Sequence, residues 1–120
     1  MITTKRDEII SRNNHLATMA YLEHLTDALE SARSGDILQR EELSKDTAKL
    51  LFSAASKHAN MCTISKEYVY AAETLRKLKY ATDRFPECFS VMQISDMNVR
   101  ISDNYRNLGI SPSGYLITRK

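Results

Sequence analysis

His58 and Cys62 stand four residues apart, the spacing that puts two metal ligands, or a thiol and its base, on one helix face. Zinc takes four ligands, or three and a water. No matching pair is visible along the chain, since Cys88 stands alone and His15 and His24 are nine apart. The expectation is that no metal is held, that His58 lies on a partly buried face, and that Cys62 serves as a small apolar residue. Nucleophilic catalysis asks for a Ser or Cys beside an oriented base, usually on a strained turn. Here the serines fall in caps, polar helix faces and loops, and there is no GxSxG. Glycine loops that cradle phosphate are absent, because the only glycines are Gly35, Gly109 and Gly114. Glu41, Glu42 and Asp46 interleave with Lys45 and Lys49 as a solvated ion-pair face. No catalytic, cofactor-binding or metal-binding residue is assigned, and an enzyme is not expected. The convergence of His58, Cys62 and a carboxylate in one pocket would reopen that question.

Positive charge gathers at Arg76, Lys77, Lys79 and Arg84, with Tyr80 among them. Over residues 66–84 there are five positive side chains against three negative, a weak excess. Cations there complement the negative end of a helix dipole, and that structural explanation is preferred. The functional alternative is contact with an anion, either phosphate or an acidic partner. A second stretch, LGISPSGYLITRK at 108–120, resembles the helix-turn-helix turn of many bacterial regulators: a hydrophobic residue, Gly109, a second hydrophobic residue, then Ser111 and Pro112 opening a helix. That resemblance, over residues 101–120, implies Arg119 and Lys120 at DNA phosphates. Two features depart from the pattern. Tyr105 occupies the position where a small residue is usual, and only about two helical turns, interrupted by Gly114, follow the turn. The preferred account makes Gly109 a Schellman-type cap and SPSG the start of a tail, whose Tyr115, Leu116 and Ile117 pack over the protein or against another chain.

Four helical stretches must position these residues. The first, about 4–33, repeats Leu16, Met19, Leu22, Leu25, Ala28 or Leu29, and Ala32 at helical spacing, with Thr3 or Thr4 as N-cap and Gly35 as C-terminal cap. Asn13 and Asn14 leave open whether it kinks. The second, about 39–60, shows Leu43, Thr47, Leu50, Leu51, Ala54, His58 and Met61 on one face. The third, about 65–84, is capped by Thr63 or Ser65, turns Tyr68, Ala72, Leu75, Leu78 and Ala81 inward, and closes at Phe85. The fourth, about 86–108, starts at Pro86 and follows Ile94, Met97, Ile101, Tyr105 and Leu108. Short connections make neighbours antiparallel. The expected fold is all-α, one domain over 1–120, an antiparallel up-and-down bundle of about four helices with a short C-terminal tail at 109–120. An unbroken first helix would span roughly 45 Å against roughly 30 Å for a helix of about 20 residues, so its end would overhang and favour a homodimer.

Composition agrees with helix: 120 residues, 42% hydrophobic and 27% charged, with only three Gly and two Pro. Two cysteines are too few for a disulfide scaffold. The opening MITTKRDEII lacks a signal peptide's apolar core, and no apolar run is long enough for a membrane, so a cytoplasmic setting is expected. The functional expectation is a non-catalytic helical interaction protein (a small adaptor, chaperone, immunity or inhibitor protein) that docks another protein by its helix faces, without cofactor. Tyr21, Tyr68, Tyr70 and Tyr80 are its candidate surface anchors. The alternative is a small DNA-binding transcriptional regulator using the C-terminal turn and the basic end of the third helix.

Overall fold

A computed structural model describes residues 5–33 and 37–109. Its order is α1 (Lys5–Arg33), α2 (Ile37–Ile64), α3 (Tyr68–Arg84), a 3-10 turn (Pro86–Cys88) and α4 (Val91–Leu108). The architecture is an all-α four-helix bundle with no strand among the described residues. The proposed caps at Thr3, Thr4 and Gly35, and the turn or tail at 110–120, lie outside those residues.

α1 runs unbroken through Asn13 and Asn14 for 29 residues, and α2 matches it with 28. The expected overhang of α1 beyond α2 therefore does not arise. Instead the two long helices together, each roughly 42 Å at 1.5 Å per residue, outreach α3 and α4, which have 17 and 18 residues. α2 packs against α1 and α3, and α4 packs mainly on α3 without meeting α1. That open edge leaves a flat particle with extents of 54 × 34 × 18 Å.

The core joins Leu22, Leu25 and Leu29 of α1 to Ala48, Leu51 and Ala55 of α2, to Leu78 and Ala81 of α3, and to Phe85, Phe89 and Met97. Two faces differ from the sequence expectation. In α1 the inward residue is His15, at 3% exposure, while Leu16 is 54% exposed. In α2 the buried line is Ser44, Ala48, Leu51, Ala55, Ala59 and Cys62. Leu43 (55% exposed), Leu50 (54%) and Met61 (61%) form a separate, solvent-facing stripe. Small alanines let the α2 backbone approach its neighbours, and this rotates the bulkier leucines outward. Two buried hydroxyls are satisfied at short range: Thr26 donates to the Leu22 carbonyl and Thr74 to that of Tyr70, each at 2.8 Å. Asn104, also buried, donates from Nδ2 to the Tyr68 carbonyl at 3.0 Å, tying α4 to the start of α3.

The helix ends explain the remaining shifts in boundaries. Thr63 turns its hydroxyl back to the Ala59 carbonyl at 2.8 Å, so it extends α2 instead of capping α3. α2 then stops in a Schellman arrangement, with Lys66 N–H bonded to Thr63 O at 3.0 Å and Glu67 N–H to Cys62 O at 2.7 Å. Lys66 carries φ +62°, a left-handed conformation that strains any residue with a Cβ. Lys66→Gly is expected to raise stability by about 1 kcal/mol, read as a higher urea midpoint at unchanged slope; a lower midpoint would contradict this account of the turn. Pro86 opens the 3-10 turn rather than α4. α4 starts after Ser90, which accepts from Gln93 N–H while the Gln93 side chain accepts from Ser90 N–H. It ends, as expected, at Gly109 in the left-handed conformation (φ 73°).

Candidate functional site

Near one end of the long hairpin the antiparallel run of α1 and α2 brings His15 opposite His58. His15 Nδ1 lies 2.9 Å from His58 Nε2, and Cys62 Sγ lies 3.5 Å from the same nitrogen. These three atoms are all within 4.8 Å of one another. On its far side His15 Nε2 is 3.2 Å from Glu73 Oε1 of α3. Tyr70 stacks on the His15 ring, with centroids 4.2 Å apart and planes 15° apart. Carboxylate, phenol ring and second imidazole thus hold His15 from three directions, and each comes from a different turn or helix.

Hydrogen-bond bookkeeping limits how these groups can share protons. A neutral His15 that donates Nε2–H to Glu73 keeps a lone pair on Nδ1. His58 must then supply the proton between the two rings, so its Nε2 has no lone pair left for the Cys62 thiol. The one N–H between the rings then serves two contacts, toward His15 Nδ1 and toward the Cys62 sulfur, which accepts only weakly. Burial, with the Glu67 charge adding to it, pushes the Cys62 thiol up to about 11. A thiol so held stays protonated near neutrality and is a weak nucleophile. His58 and Cys62 meet, but the Glu73 carboxylate stands on the far side of His15, and the lowered thiol pKa that activates cysteine is lacking.

Burial first, and then the neighbouring His15 ring, lower the His58 pKa from its ordinary 6.5. The unfolded chain takes up this proton before the folded chain does. Stability that depends on neutral His58 is therefore fully present above pH 6.5 and is lost as pH falls below that value, through the lowered folded-state pKa. Urea midpoints in the presence of a chelator are expected to fall on acidification across this window, and His58→Gln should flatten that part of the profile. An unchanged profile in the variant would remove His58 as its cause.

The residues singled out from sequence are dispersed. Tyr70 belongs to the His15 cluster and is half-buried, as is Tyr68; Tyr21 and Tyr80 are exposed. Tyr80 and Arg76 line an open groove of about 640 Å³ between α1 and α3, beside Met19 and Thr26. The groove's edges are cross-linked by charge: Lys77 pairs with Glu23 at 3.7 Å, and Arg84 grips Glu30 with two contacts at 2.6 and 3.0 Å. Lys79 pairs with Asp83 within α3 at 3.1 Å. Three of the four α3 cations named from sequence thus face carboxylates of this chain. Arg119 and Lys120 lie outside the described residues. His15 and Glu73 were missed, because their partners are 43 and 58 residues away along the chain. One signal was available: reflecting His15 through the connection at 34–36 lands within a turn of His58. No family model, curated protein or solved structure matches the chain.

Proposed function

We propose that the protein is a non-catalytic helical interaction module that docks protein through the apolar stripe of α2, and that the occupant of that stripe is a second copy of the chain. The observation that carries this reading is the exposure of Leu43, Leu50 and Met61, with half-buried Thr47 and Ala54 between them. Large exposed apolar side chains repeated along one helix face mark interaction sites. The stripe is symmetric in spacing: Leu43 and Met61, and likewise Leu50 and Ala54, are equidistant from position 52. Two copies of α2 laid antiparallel therefore set Leu43 against the partner's Met61 and Leu50 against the partner's Ala54, the self-complementarity a two-fold dimer needs. Asp46 and Lys57 lie eleven residues apart on one flank. The same pairing brings each beside its opposite charge, which steers the encounter.

Tyr21 is a further exposed side chain, on α1. It lies about 200° around the helix from Glu23, whose carboxylate faces α3, so it points away from the α1–α3 groove. Among the described residues no helix is long and apolar enough to cross a membrane. Two cysteines, too few for a disulfide scaffold, support a reducing, cytoplasmic setting. The DNA-binding alternative stands mainly on residues 110–120, outside the described part, and no observation on α3 favours it.

Sedimentation equilibrium on the full chain and on a chain lacking 110–120 tests the proposal. A concentration-dependent dimer is expected from both. A full chain that stays monomeric at high concentration would overturn the proposal. So would a dimer that forms only after the deletion, because the chain's own tail would then be the occupant.

A further inference from the structure

We propose that His15 Nδ1, His58 Nε2 and Cys62 Sγ form a binding site for a zinc-class divalent cation, with Glu73 as the positioning residue behind His15 and a solvent molecule as fourth ligand. This inference is independent of docking through α2.

Two of the three separations are close to those of a bound cation. Tetrahedral zinc with Zn–N near 2.0–2.1 Å and Zn–S near 2.3 Å separates two nitrogens by about 3.3 Å and a nitrogen from a sulfur by about 3.6 Å. The observed separations are 2.9 Å for the two nitrogens and 3.5 Å from sulfur to His58 Nε2. The third pair, His15 and Cys62, is held only within 4.8 Å, so a spread of a few tenths of an ångström between the imidazoles and a swing of the Cys62 side chain toward His15 complete the site. The shared N–H is then no longer needed, because a cation accepts a lone pair from each of the three atoms. On binding, His58 exchanges its Nε2 proton for one on Nδ1 through solvent, which frees the ligating lone pair. Cys62 releases its thiol proton to the buffer, a Zn–S bond replaces the S–H bond, and no electrons are transferred. Two neutral imidazoles and one thiolate are a donor set matched to zinc and to its spectroscopic substitute cobalt(II), and poorly matched to magnesium or calcium.

Glu73 completes the arrangement. A metal-bound histidine commonly gives its other N–H to a carboxylate, which fixes the tautomer and raises the basicity of the ligating nitrogen. His15 has this relation to Glu73 at 3.2 Å, so the nitrogen turned toward His58 and Cys62 is the one left with a lone pair. Tyr70 stacking fixes the ring plane. The three ligands come from two helices, so the cation would staple the first half of α1 to the end of α2.

Cobalt(II) titration of the metal-stripped full chain tests the site. The expected result is one equivalent bound, a thiolate-to-cobalt charge-transfer band in the near ultraviolet, intense four-coordinate visible bands, and loss of both on adding zinc. Cys62→Ser should abolish the charge-transfer band. Glu73→Gln, at a half-exposed side chain, should weaken binding by about 10- to 100-fold without moving the metal-free melting temperature. A wild-type spectrum of hydrated cobalt alone would overturn the proposal whether or not the variants fold. A charge-transfer band that survives Cys62→Ser, or affinity unchanged by His15→Ala, would overturn it as surface binding. Unchanged affinity in Glu73→Gln would remove Glu73 from the site.

Discussion

Phe85→Ala is expected to destabilise the folded chain by about 3–5 kcal/mol, the usual cost of emptying a buried aromatic site. Phe85 is 1% exposed and belongs to the cluster that contains Leu78, Ala81, Phe89 and Met97. It also ends α3, its N–H bonding the Ala81 carbonyl at 2.8 Å before the chain enters the 3-10 turn. The ring stands where α3 gives way to the 3-10 turn, inside the cluster that joins all four helices. Against a total stability of about 5–15 kcal/mol for an ordinary domain, the loss is a large fraction. Urea unfolding followed by circular dichroism should show a much lower midpoint. A change below about 1 kcal/mol, the range of surface substitutions, would mean that Phe85 does not lie where this fold puts it.

Leu50→Asp is expected to weaken self-association by at least about 100-fold, which corresponds to roughly 2.7 kcal/mol. In the antiparallel α2 pairing, residue 50 faces the partner's Ala54 close to the two-fold axis, so one substitution places two carboxylates in an apolar contact. Desolvating an unpaired carboxylate costs several kcal/mol, far more than the leucine contact contributes. The same change should leave the monomer folded, because Leu50 is already 54% exposed. Leu51→Asp provides the contrast: that side chain is 1% exposed, and the variant should unfold rather than dissociate. Light scattering and circular dichroism on the two neighbouring variants separate the faces. Unchanged association of Leu50→Asp would move the interface elsewhere, and a well-folded Leu51→Asp would contradict the orientation of α2.

Helix periodicity made the four rods legible, and single residues marked several of their ends. Gly109 stops α4 as its lack of a Cβ suggests, and Pro86 begins a helical turn where its missing N–H costs nothing. The orientation of α2 was less legible. Leu43, Leu50 and Met61 carry the largest apolar side chains on one stripe, so hydrophobicity alone pointed to that stripe as the core. Close helix packing instead selected the alanines at 48, 55 and 59. Lys66 hid the end of α2, because the left-handed position there is filled by a residue that gives no such signal. The His15 cluster was illegible for a different reason. His58 and Cys62 announce themselves by spacing within one helix, whereas His15 and Glu73 join them only through the register between helices. A local pattern carries no information about that register.

Proton NMR of the histidine and tyrosine rings tests the central claim, that antiparallel register of α1 and α2 gathers this cluster. With His15 and His58 ring centroids 5.2 Å apart and His15 and Tyr70 centroids 4.2 Å apart, nuclear Overhauser contacts are expected between both pairs of rings. None is expected from the exposed His24 to His58. A folded, helical protein in which the His15 ring contacts neither His58 nor Tyr70 would contradict the register and the metal site built on it.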